Sequence, residues 1–319
     1  MKIRRTVSAP LAALMLITSV LFASCSGAPA GTDAPATEIQ TESEDITIKT
    51  ETEPVTEPET EPVTEAETEA PADTSSVAYL LGSGAALEYE VKRKLVMSSE
   101  TVGGVSYRQL QGGCTDGEYM YFAMNDTKSE DSRSIIYKIP LGKKKPTAKS
   151  EPLPTDHSND MTYDSKNGRL VVCHNAPNKK MLSFVDPETL TVTGTHELGF
   201  KAYCIQYVPE KEQYVVGVAG TMDVAILDED FNELRRMSGE KTGYTKQGCD
   251  ADENYIYFIQ YEKNCVVIHD WDYNRIAVID VPVSGCEPEN MFHVGNDFYI
   301  GCAAGNLTLY QITLKEAAG

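Results

Sequence analysis

Five short segments of this chain open on side chains that can hydrogen-bond a ligand or carry a proton. They are QGGCTDGEYMYFAM from Gln111, NDMTYDSKNGRLVV from Asn159, YCIQYVPEKEQYVVGV from Tyr203, QGCDADENYIYFIQ from Gln247 and ENMFHVGNDFYIG from Glu289. Gln111, Asn159 and Gln247 supply amides, Tyr203 a phenol and Glu289 a carboxylate, and the next positions are Gly112, Asp160, Cys204, Gly248 and Asn290. His157 and Glu287 stand just upstream in their own segments. Amides, a tyrosine and carboxylates with few cations suit a neutral, hydroxyl-rich or amine-bearing ligand such as a sugar or a peptidoglycan fragment. A second chemistry is open to the same residues. Glu287 and Glu289, two apart on a strand, would face one side, with Asp160 across from them, and paired carboxylates serve as acid and base.

These residues are far apart in sequence, so a repeat must gather them. The five opening residues are spaced by 48, 44, 44 and 42 positions. Each begins a short strand, then a tight polar turn, then an apolar second strand. Residues 78–319 show no amphipathic helix, only β-branched and aromatic runs between Gly, Asn and Asp turns. The period is that of a four-stranded propeller blade, about 40–45 residues. Outer hairpins follow in SFVDPETLTVTG, AILDEDFNELRR and VVIHDWDYNRIAVID, turning at Asp186, Asp228 and Asp270 to Asn274. After Glu289 only three strands fit, so the alternating Leu87-Glu88-Tyr89-Glu90-Val91, leading on to Leu95 and Val96, is expected to complete the last blade and protect its edge. The expectation is an all-β, five-bladed β-propeller closed by an N-terminal strand. A six-bladed ring finds too few residues in 78–110.

First strands line a propeller's channel, so Gln111, His157, Asn159, Asp160, Tyr203, Gln247, Glu287, Glu289 and Asn290 are expected at one mouth of it. Glycine at positions 112 and 248 would let a ligand approach the backbone. The plainer alternative is a polar channel that only holds water.

The remaining chain is an address and a spacer. Residues 1–25 carry Lys2, Arg4 and Arg5, then an apolar run from Leu11 to Ala23 too short to span a bilayer as a helix. The run ends in Leu21-Phe22-Ala23-Ser24-Cys25, which resembles the lipobox of bacterial lipoproteins, with Phe22 where that motif usually has Leu. The resemblance implies lipid on Cys25 and an extracytoplasmic chain tethered to the membrane of a bacterium, Gram-positive by its overall look. Residues 26–77 hold 14 acidic residues against Lys49 and include TETEPVTEPETEPVTEAETEAP. Such a segment cannot offset its ordering entropy and is expected to be a disordered, extended linker. Of the net charge of −20, this linker carries −13. The remaining domain is still acidic, which excludes nucleic acid as a partner. A hydrophobic fraction of 41% excludes a polytopic membrane protein.

The strand–turn–strand units resemble YVTN- and NHL-like bacterial propellers. The Gln-Gly starts at Gln111 and Gln247 resemble those of glutaminyl cyclotransferases, which implies a possible cyclase; five-bladed rings also host glycosidases. The whole is similar to surface lipoproteins of Gram-positive anaerobes and, more loosely, to propellers related to teichoic acid protein C. A binding or scaffolding module is the leading expectation, for a glycan, a cell-wall fragment or a protein partner, and a hydrolase or cyclotransferase is the alternative. A monomer is expected, and no cofactor is implied. The seven domain cysteines lack a CxxC pair, so the usual zinc spacing is absent, and they are expected to act as small apolar residues. Asp228-Glu229-Asp230 reads as a hairpin turn rather than a calcium loop. Cys173 and His174, adjacent on a strand, are not expected to form a nucleophile pair.

Overall fold

The aspartates that punctuate the sequence set the blade hairpins. Asp116 Oδ1 accepts the N–H groups of Glu118 (2.8 Å) and Tyr119 (2.6 Å), and its Oδ2 accepts the Tyr121 hydroxyl at 2.7 Å. Asp252 repeats this with Asn254, Tyr255 and the Tyr257 hydroxyl. The outer turns use the same chemistry: Asp228 binds the N–H groups of Asp230 and Asn232, and Asp270 those of Asp272 and Asn274. A side chain that mimics a backbone turn fixes each reversal locally.

The structure, a computed structural model, describes residues 76–126, 132–239, 246–281, 283, 285–303 and 307–317. The signal segment, Cys25 and nearly all of the linker lie outside the described residues. What is described is a five-bladed propeller. Blade 1 runs through Glu100–Val102, Val105–Thr115, Tyr119–Asp126, Ser134–Pro140 and Ala148–Lys149. Blade 2 comprises Asp160–Asp164, Arg169–Cys173, Met181–Val185 and Val192–Glu197. Blade 3 comprises Ala202–Val208, Gln213–Val218, Val224–Leu227 and Glu233–Met237. Blade 4 comprises Lys246–Ala251, Ile256–Gln260, Cys265–His269 and Arg275–Asp280. Blade 5 comprises Glu287–Val294, Asp297–Ala303 and Leu307–Glu316, with Leu87–Met97 as its outer strand. That strand pairs antiparallel from Leu87 opposite Glu316 to Met97 opposite Leu307, so the chain's first strand closes the ring as expected. A short helix, Val77–Gly82, is an addition; it is too short for a helical period to show, and its Val77 and Leu80 are buried against blades 4 and 5.

The core is divided among the blade interfaces. Phe122 and Leu110 of blade 1 meet Phe292 and Tyr299 of blade 5, while Tyr121 and Cys114 meet Met161 and Val172 of blade 2. The other interfaces are built alike, blade 2 on 3, 3 on 4 and 4 on 5. Burying each aromatic ring contributes about 1.5–3 kcal/mol. Polar clasps add direction: Thr162 Oγ1 accepts from the Tyr207 N–H at 2.9 Å, and Asp250 Oδ2 from the His293 N–H at 2.6 Å.

Two glycines mark where inner strands touch. A Cβ at Gly112 would stand 2.7 Å from the Asp160 carbonyl carbon, and one at Gly248 2.7 Å from the Asn290 Cα. The close approach is by the next blade's backbone and not by a ligand.

Two tests follow from these contacts. Gly112→Ala should cost about 1–3 kcal/mol in chemical denaturation through overpacking, whereas Gly199→Ala, whose Cβ meets nothing within 4 Å, should leave the midpoint unchanged. His293 supplies the second. Burial alone would lower its pKa, but Asp250 at 2.6 Å and Asp252 at 3.3 Å raise it to about 10. The unfolded ring titrates near pH 6.5, so the clasp is complete below about pH 6.5. It is lost as pH rises to about 10. The stability gap between wild type and His293→Gln should therefore narrow over that interval, by up to about 1.4 kcal/mol per pH unit.

Candidate functional site

Irregularities in the inner strands lie at the residues that the repeat singles out. In blade 1 the register shifts between Leu110 and Gly113, around Gln111. It shifts between Ala202 and Cys204 around Tyr203, between Lys246 and Cys249 around Gln247, and between Pro288 and Asn290 around Glu289. In blade 2 Asn159 lies immediately before the first paired residue, Asp160. A β-bulge frees one residue from the ladder and re-aims its side chain, which is why bulges recur beside binding sites. Four of the five phase residues are therefore bulge residues.

The bulges join neighbours around the ring. Gln247 Nε2 donates to Glu287 Oε1 at 2.8 Å, linking blades 4 and 5. Glu289, buried, lies beside the side chains of Gln111 and Gln109 where blades 5 and 1 meet, and Gln111 Nε2 donates to the Leu110 carbonyl at 3.0 Å. Asn159 Nδ2 donates to the Tyr203 carbonyl at 2.5 Å, and Asn175 Nδ2 donates to Asn159 Oδ1 at 2.6 Å. His157, half-buried, has its pKa lowered by burial and then by Lys179, which favours the neutral ring.

Burial, then the neighbouring Glu287 carboxylate, raises Glu289 to about 8 against the pull of the two glutamine amides. At neutral pH Glu289 is a protonated acid that can donate a hydrogen bond or a proton. Glu287, half-buried, sits beside it on the same strand. The bulge at Glu289 breaks simple alternation, so the two carboxyl groups have different partners instead of one shared environment.

Asp160 is fully buried; Oδ1 accepts from the Met161 N–H (3.0 Å), and Oδ2 from the Ile205 N–H (3.2 Å) and the Cys249 N–H (3.3 Å). Asn290, also fully buried, donates from Nδ2 to the Gln111 carbonyl. Asp160 and Asn290 are thus held by backbone groups with no exposed surface, so Asp160 is not an open partner for Glu287 and Glu289 in acid–base chemistry.

Sequence reasoning missed three polar groupings. His174 bridges Asp156 (Nδ1 to Oδ2, 2.8 Å) and Ser183 (Nε2 to Oγ, 2.8 Å), which resembles a catalytic triad in outline. Ser183 is fully buried, so the arrangement ties the loop before the blade 2 inner strand to that blade's second and third strands. Cys173 points elsewhere, its thiol donating to the His174 carbonyl. Lys246, next to Gln247 in sequence, buries its ammonium over the rings of Phe258 and Tyr273 and donates to the Met222 carbonyl at 3.1 Å. Burial lowers that ammonium to about 8. His293, four residues beyond Glu289, is the third, clasped by Asp250 and Asp252 as described above. All three lie within four residues of a strand end or phase residue, a signal available only once the blades are aligned.

No protein-family model matches this sequence, and no curated protein matches it. Among solved structures, the chain is similar to a selenomethionine-substituted virginiamycin B lyase from Staphylococcus aureus, at 10% identity and a TM-score of 0.39 over 67% of this chain and 68% of that one. It is similar to the same degree to a structure described as a streptogramin B lyase, at 10% identity and a TM-score of 0.39 over 68% of this chain and 67% of that one.

Proposed function

We propose that this protein is a cell-surface, lipid-anchored propeller that binds a neutral, hydroxyl-rich ligand, a glycan or cell-wall fragment, at the mouth formed by Gln111, Gln247, Glu287 and Glu289. The observation that carries this reading is the set of bulges that release these side chains from the strand ladders. The groups they release are amides and carboxyls paired with one another, as in the 2.8 Å contact from Gln247 to Glu287. Such a set offers donors and acceptors together, which is what vicinal hydroxyls require. His157 and Asn159 extend the rim, whereas the Tyr203 hydroxyl is buried beside Cys204 and Cys249 between blades 3 and 4. In this reading Asp160 and Asn290, both fully buried, form the floor of a shallow cup suited to the end or side of a chain. The Cys25 anchor and the acidic linker hold that cup away from the membrane.

A second reading rests on one feature, the Glu289 acid raised to about 8. A carboxylic acid that keeps its proton at neutral pH is the usual form of a general acid, and Glu287 is in position to act as the base of an extracytoplasmic hydrolase or cyclase.

A glycan and muropeptide array followed by product analysis separates the two readings. Binding without turnover supports the module; turnover abolished by Glu289→Gln supports the enzyme. For the module, Gln111→Ala and Gln247→Ala should each weaken binding about 3- to 10-fold, the value of one hydrogen bond. Wild-type affinity should fall as the pH rises through about 8, where Glu289 loses its proton, and Glu289→Gln should remove that dependence. Cys25→Ser should shift the protein from the membrane fraction to the soluble fraction in cell fractionation.

A further inference from the structure

The floor of the cup is richer in sulfur than a hydrophobic plug requires. Asp160 of blade 2, Cys204 of blade 3 and Cys249 of blade 4 bring one carboxylate oxygen and two thiol sulfurs within 4.8 Å of one another at the axis. The Cys249 sulfur is 3.9 Å from Asp160 Oδ2. All three residues are buried. We propose that this is a structural site for one thiophilic divalent cation of the zinc class, bound by the Asp160 carboxylate and the Cys204 and Cys249 thiolates.

The spacing is close to what such an ion needs. Metal–sulfur distances of about 2.3 Å and metal–oxygen distances of about 2.0 Å in a tetrahedron separate ligand atoms by roughly 3.5–3.8 Å. The side chains here need only a small contraction to reach it.

Charge supplies a second argument. Asp160 is fully buried, and among the described residues it forms no ion pair with lysine or arginine, so burial favours its neutral acid until a cation stands beside it; buried carboxylates are otherwise paired or on metals. Its three backbone N–H donors are compatible with a bound ion, because ligating carboxylates are commonly oriented by such outer hydrogen bonds. Two thiolates and a carboxylate around a divalent ion leave one negative charge. The Lys246 ammonium lies within electrostatic reach of both cysteines and faces a carbonyl, a phenol and two aromatic rings. The Tyr203 hydroxyl is buried and interacts with Cys204 and Cys249, so it is a polar group beside the two thiols.

Two sulfur ligands select zinc or cobalt over magnesium or calcium. Binding displaces one proton from each thiol and the proton that burial keeps on Asp160, and no other bond changes. In so closed a site the ion enters as the chain folds, and it pins blades 2, 3 and 4 together. The absence of CxxC spacing is no obstacle, since the ring supplies the proximity that a short loop supplies elsewhere.

The test refolds the full chain from denaturant with zinc or cobalt(II) and measures metal after desalting. Wild type should retain about one equivalent of metal, and the cobalt form should show thiolate-to-metal charge-transfer absorption. Cys204→Ser and Cys249→Ser should each lose that absorption, whereas Cys265→Ser, on the third strand of blade 4, should keep it. Should the two axial variants fail to fold, wild-type stoichiometry and absorption still decide. Wild type without bound metal, a Cys204–Cys249 disulfide found by mass spectrometry, or unchanged absorption in both axial variants would overturn the proposal. Ligand binding at the cup is a separate measurement, so either proposal can fail alone.

Discussion

One buried carboxylate organises the centre of this ring. Asp160 accepts N–H groups from its own strand and from the inner strands of blades 3 and 4, and so ties three blades at one point on the axis. Without Asp160 these buried N–H groups would lose this acceptor, and a buried unsatisfied donor costs about 1–3 kcal/mol. A carboxylate has enough acceptor sites for all three, and an amide oxygen has fewer. Desolvation still raises the Asp160 pKa well above the usual carboxylate range despite these bonds. Burial therefore favours the neutral acid at the centre unless a cation is bound beside it.

The rest of the inner layer accommodates that point. Strands that converge on one carboxylate leave no room for side chains between them, hence glycine at positions 112 and 248 and cysteine, a small apolar residue, at 204 and 249. Convergence also strains the pairing of inner strands with second strands, and the bulges at Gln111, Tyr203, Gln247 and Glu289 are where the ladders yield. The residues released from the ladder there are those of the proposed site.

The sequence makes the blades legible because their signals are local. Turn aspartates, alternation and a period near 44 residues act within one blade, and the unpaired edge of Leu307–Glu316 calls for a strand such as Leu87–Met97. The floor is not local. Asp160 reaches partners 45 and 89 residues away, and those partners are backbone groups that leave no trace in residue type. For the same reason Gly112 reads as an opening for a ligand when it is a contact with the next blade. His174 is hidden differently: its partners Asp156 and Ser183 are ordinary polar residues that only the fold brings together. The residue types at the blade starts are legible in the sequence, and their pairing across blades is not.

The bulge at Glu289 bears most directly on function. On a regular strand Glu287 and Glu289 would share one face and one environment, and their mutual repulsion would be the main influence on both. The extra residue turns Glu289 inward to 6% exposure between two glutamines and leaves Glu287 half-buried beside Gln247. Burial, more than repulsion, then keeps Glu289 protonated. A neutral acid set between amides can meet a ligand hydroxyl without the desolvation cost of a buried charge. It can also give up its proton, so the same geometry is available to a binding protein and to an enzyme. What separates them is whether a ligand's scissile bond, and not merely its hydroxyls, reaches Glu289.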